Sequence, residues 1–98
     1  MSQIWKTPLN LEGDATTTIE HGGREVLSVG LDPSGVPCVW YWAPVDFAGP
    51  VVTTTAVVLF GTGASVDDVM SVDAWGRYIG RFNYGSLVLH ACERAVEL

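Results

Sequence analysis

The stretch VPCVWYWA, residues 36–43, sets three large aromatic residues side by side within a proline-bounded run. β-Branched and aromatic residues suit strands, where successive side chains point to opposite faces. Read as a strand, it places Cys38, Trp40 and Trp42 on one face and Val39, Tyr41 and Ala43 on the other. A strand with one wet face alternates apolar with polar residues, and this one does not. One face is therefore expected to line a core. The other is expected to be covered by a ligand, a loop or a second subunit.

Working outward, DPSG (32–35) has type I turn chemistry, with Asp first, Pro second and Gly fourth. Before it, EVLSVGL (25–31) alternates, with Leu27, Val29 and Leu31 on one face, so the two runs predict a hairpin. Further out lie IWKTPL (4–9), marked by Pro8 as an edge or terminal piece, and ATTTIEH (15–21), ended by Gly22 and Gly23. On the other side, PVDFAGP (44–50) reads as a loop and VVTTTAVVLFGTG (51–63) as the longest strand. RYIGRFNYGSLVLHACE (77–93) predicts a second hairpin with Asn83-Tyr84-Gly85 at its tip. Ser65 as a cap and Asp67 and Asp68 near an N-terminus allow one short helix near residues 65–75. The fold class expected is all-β: one domain over residues 1–98, an antiparallel sandwich or small barrel of about seven strands.

The 98 residues are 48% apolar and only 16% charged, much hydrophobic material for so small an interior. Part of it is expected to lie under another copy of the chain, making a homo-oligomer. Eleven acids against five bases give a net charge of −6. That disfavours a long nucleic acid, which needs clustered Lys and Arg, but not one small anion held by two arginines. The start of the chain lacks a basic then apolar leader, and no apolar run reaches the roughly 20 residues of a membrane span. A soluble, cytoplasmic protein with reduced Cys38 and Cys92 is expected.

Chemistry is thinly signalled. FGTG (60–63) lacks the Lys and Ser or Thr that complete a P-loop and reads better as a strand-end turn. His21, His90, Cys38 and Cys92 have no zinc spacing, and His90 reads as a satisfied structural histidine. Asp67, Asp68 and Asp73 read as a solvated loop. No G-x-S-x-G or H-E-x-x-H arrangement is present, so no catalytic residues, metal or cofactor are expected and the protein is not read as an enzyme.

Several stretches together resemble a family of short, functionally uncharacterised bacteriophage and prophage proteins. They are IWK at the N-terminus, LSV then G-x-PC-x-W across the first hairpin, GTG after the long strand, then YIG-x-F and LVLH-x-x-E. They span most of the chain. The resemblance implies a compact β-rich domain acting in the cytoplasm of an infected bacterium, and it carries over no catalytic residues. The segments DFAGPVVTTTA and SVDDVMSVDAWG depart from the family's usual pattern.

The aromatic residues carry the functional expectation. Core and subunit interface account for many of them, but such rings also stack planar ligands while arginines hold the polar part. The candidate ligand-binding residues are Trp40, Tyr41, Trp42, Arg77, Arg81, Tyr78 and Thr62. Arg77 and Arg81, four apart on one strand, are expected on one face, where they would grip one anionic group. The competing reading pairs both with nearby acids. The function expected is stoichiometric binding by a phage accessory protein, capturing a small nucleotide-like host defence signal. The alternatives are a protein–protein interaction module that inhibits a host protein, and a structural or assembly protein.

Overall fold

The aromatic run is the centre of a sheet. Pro37–Trp42 forms a strand flanked on both sides, antiparallel to Ile4–Pro8 and to Ser28–Leu31. The computed structural model describes residues 3–22, 26–43, 53–62 and 77–96. Within them, in chain order, the strands are β1 (Ile4–Pro8), β2 (Thr16–His21), β3 (Ser28–Leu31), β4 (Pro37–Trp42), β5 (Thr53–Gly61), β6 (Arg77–Tyr84) and β7 (Leu87–Ala95). They form two antiparallel sheets, β1-β4-β3 and β2-β5-β7-β6. The architecture is an open sandwich, not a closed barrel. The helix expected near 65–75 and the loop at 44–50 lie outside the described residues.

The turns follow their chemistry. Asp32 accepts hydrogen bonds at its carboxylate from the Ser34 and Val36 amides, and Gly35 N–H closes the turn on Asp32 O at 2.9 Å. Gly35 has φ +81°, the left-handed conformation that follows a type I turn at a hairpin end. The β6–β7 tip differs from the expected Asn83-Tyr84-Gly85. Tyr84 pairs with Leu87, so the loop is the two residues Gly85-Ser86, with Gly85 at φ +61°. Asn83 and Tyr84 belong to the strand.

The core lies between the sheets. From the three-stranded sheet come Val39 and Tyr41, with Val29 packed beside them; from the other come Ile19, Val57, Leu59, Phe82 and Ala91. Leu9 and Val26, at strand ends, close it further. Period two in β4 thus sends Val39 and Tyr41 inward and Cys38, Trp40 and Trp42 outward. Strand β5 is central and buried on both faces, which explains why its sequence shows no alternation. β3 packs across β6, with Val29 over Gly80.

One irregularity decides where side chains go. In β6, Tyr78 pairs with Cys92 and Gly80 with Ala91, so Ile79 is an extra residue, a β-bulge. A bulge reverses the face of every residue beyond it. Arg77, opposite Glu93, faces inward; Arg81, opposite His90, faces outward. The expected shared face of the two arginines is overturned by this one residue.

Candidate functional site

The bulge assembles a polar cluster on the outer face of the four-stranded sheet. In a row across three strands lie Phe60, His90 and Arg81, paired in register. Directly opposite residues share a face with close Cβ atoms. The imidazole of His90 is held at both nitrogens: Nδ1 to the Tyr78 hydroxyl at 2.8 Å and Nε2 to the Thr62 hydroxyl at 2.8 Å. The Phe60 ring stacks on it, with centroids 5.7 Å apart and planes 18° from parallel. Arg94 lies on the same face, opposite Ala56.

This arrangement has a defined chemistry. With the ring neutral, one nitrogen carries a proton and the other a lone pair. One hydroxyl therefore accepts from the ring and keeps its own O–H free to donate. The other donates to the ring and keeps oxygen lone pairs. Tyr78 and Thr62 together offer one donor and one acceptor, and a change of tautomer exchanges them. Arg81, exposed, stands opposite His90 in the ladder on the same face.

The seven expected site residues fall in three places. Tyr78 and Thr62 bond the His90 ring, and Arg81 is paired opposite His90 on the same face. Arg77 and Tyr41 lie between the sheets. Arg77 Nε donates to Glu93 Oε1 at 2.8 Å and its terminal nitrogen donates to Val26 O, while Val26 N–H donates to the same carboxylate at 3.3 Å. Arg77 thereby ties the start of β3 to β6 and β7, the acid-paired alternative weighed for it. The Tyr41 hydroxyl is bonded to Thr7 Oγ1. Trp40 and Trp42 lie on the outer face of the other sheet, half-buried, with Trp40 over Gly30. Sequence reasoning missed His90 and Phe60 as members of the cluster. The available signal was a polar residue facing the same way as Val88 and Cys92.

A family model described as a domain of unknown function, DUF7352, matches residues 1–97. The chain belongs to the DUF7352 family. No curated protein and no solved structure matches the chain. In this DUF7352 chain both cysteines are free and buried, Cys38 on the outer face of one sheet and Cys92 on that of the other. Burial pushes both thiols above their ordinary range. Among the described residues no three His, Cys, Asp or Glu side chains gather as metal ligands, and no helix is long and apolar enough to cross a membrane.

Proposed function

We propose that this DUF7352 chain is a non-enzymatic protein that acts by stoichiometric binding, and that its ligand docks on the outer face of the four-stranded sheet at His90. The observation that carries this reading is the convergence of Tyr78, Thr62 and Phe60 on the His90 ring with Arg81 paired opposite. Three of the stretches behind the phage resemblance supply Thr62 (GTG), Tyr78 (YIG-x-F) and His90 (LVLH-x-x-E), while Arg81 stands at the open position of YIG-x-F and Phe60 just before GTG.

The ligand class follows from the groups. A guanidinium favours an anionic group such as phosphate, which it engages by two parallel hydrogen bonds. The Tyr78 and Thr62 hydroxyls, on either side of the His90 ring, offer two separate polar contacts, and the exposed Tyr78 ring offers a surface for stacking. A small nucleotide-like molecule combines all three. In the setting that the phage resemblance implies, the task is capture of a host defence signal.

The test is direct. The protein is incubated with host lysate, repurified and heat-denatured, and the supernatant is examined for an ultraviolet-absorbing small molecule. Release from the wild type and its loss in Arg81→Ala and His90→Ala, with folding intact, is the expected result. Release undiminished in both variants sinks the site. A co-purifying polypeptide in its place favours the second reading, a protein-interaction module. For that reading the relevant feature is the apolar outer face of the three-stranded sheet, where Ile4, opposite Trp42, is 55% exposed.

A further inference from the structure

The core stops short at one end of the sandwich. Along the inner face of β5 the side chains run Val57, Leu59, and then Gly61, paired with Leu89 of β7. A Cβ at Gly61 would meet no atom within 4 Å, and its φ lies outside the left-handed region. The backbone therefore has no need of glycine here; the missing side chain leaves a space. That space is a pocket of about 240 Å³, open to solvent on one side. Leu59 and Leu89 form its floor, Leu11 of the β1–β2 connection one wall, and Tyr84 and Leu87 of the β6–β7 hairpin the overhang.

The lining fixes the ligand's chemistry. Among the described walls the Tyr84 hydroxyl is the one polar side-chain group, and no charged side chain contributes. A charged or strongly polar group entering it would lose its water without compensation. Its volume exceeds that of an enclosed apolar cavity of about 150 Å³ that takes benzene, so a benzene ring with a short substituent matches it in size, with one side of the occupant left facing the opening. The mouth points the same way. Leu87 is 59%, Tyr84 40% and Leu11 37% exposed, and an occupant would cover apolar surface on all three.

We propose that this pocket is a second binding site, for a compact, uncharged, apolar ligand of substituted-benzene size. It does not rest on the His90 reading. The two sites share only Phe60, which lines the pocket and stacks on His90.

The test is a titration of methyl-labelled full-length protein with n-propylbenzene, with benzoate as the charged control. Saturable shifts are expected for the methyl groups of Leu11, Leu59, Leu87 and Leu89, with a rise in the thermal midpoint by mass action. Benzoate at the same concentrations should give neither. Gly61→Leu grows a side chain into the space, so it should abolish the shifts while raising the midpoint of the unliganded protein. If Gly61→Leu fails to fold, Leu11→Trp at the mouth serves instead, with the same expected loss of shifts. The proposal is overturned if the wild type shows no saturable shift, if benzoate binds as well, or if the shifts persist undiminished in a folded pocket-filling variant.

Discussion

At the scale of single residues, His21 shows most clearly what this fold does to an ionisable group. It ends β2 facing inward and is only 3% exposed. Its Nε2 is bonded to Thr55 Oγ1 at 2.8 Å, while Nδ1 is buried without a partner among the described residues. Burial pushes its pKa below the ordinary value, against a smaller upward pull from the Glu93 carboxylate. A neutral ring with Nε2–H donating to Thr55 leaves only a bare lone pair at Nδ1. A protonated ring would strand a buried N–H and a charge. The linkage has a definite sign. A folded pKa below the unfolded one means that, under acid, the unfolded chain takes up the proton first. Stability should thus hold at neutral pH and fall as pH drops below the ordinary histidine value of 6.5 towards the lowered folded value. Urea unfolding across a pH series should show that slope in the wild type and a flatter one in His21→Gln. Equal slopes would mean that the ring is not held neutral.

At the scale of elements, the period-two runs and turn residues made the strands legible, because burial on one face and turn chemistry both leave marks in sequence. EVLSVGL, VPCVWYWA and the 77–93 hairpin each correspond to strands at nearly the expected places. The bulge left no such mark. Nothing in Tyr78-Ile79-Gly80 distinguishes a regular strand from one carrying an extra residue, since that depends on how β7 pairs alongside. Yet it sends Arg77 to an internal ion pair and Arg81 to the outer cluster. The candidate site was legible only in part for this reason: Tyr78, Thr62 and Arg81 were named, but not the histidine that joins them. The tip of this hairpin gives a sharp test of backbone cost. Gly85 and Gly61 both have open space where a Cβ would go, but only Gly85 has a left-handed φ. Gly85→Ala should destabilise by about 1–2 kcal/mol, the penalty for an L-residue there. Gly61→Ala should be neutral or stabilising, because strand glycine costs entropy. Denaturant midpoints compare them directly, and equal effects would contradict the turn geometry.

At the scale of the whole molecule, the two sheets enclose the main apolar layer, and Ala56, Val58 and Cys92 are buried on the opposite face of the larger sheet; a chain that is 48% apolar still leaves large apolar side chains exposed. The surplus is conspicuous on the three-stranded sheet. On its outer face Ile4 stands opposite Trp42, Lys6 opposite Trp40, and Pro8 opposite Cys38. Trp40 lies flush over Gly30, where no side chain intervenes. Among the described residues, charge on this face is confined to the Lys6–Asp32 pair at 2.9 Å, which holds the Asp32 carboxyl below its usual range and neutralises it locally. A broad face of this kind, with one internally paired charge, can meet its own image across a two-fold axis without burying an unpaired ion. Self-association through this face is the expected consequence. Sedimentation at high micromolar concentration should give a species heavier than one chain, and Ile4→Glu should shift it towards monomer by placing an unpaired carboxylate in the contact. A wild type that sediments as a single chain removes the idea. An assembly that tolerates Ile4→Glu unchanged places the interface on another face, with the outer cluster at His90 then the next surface to substitute.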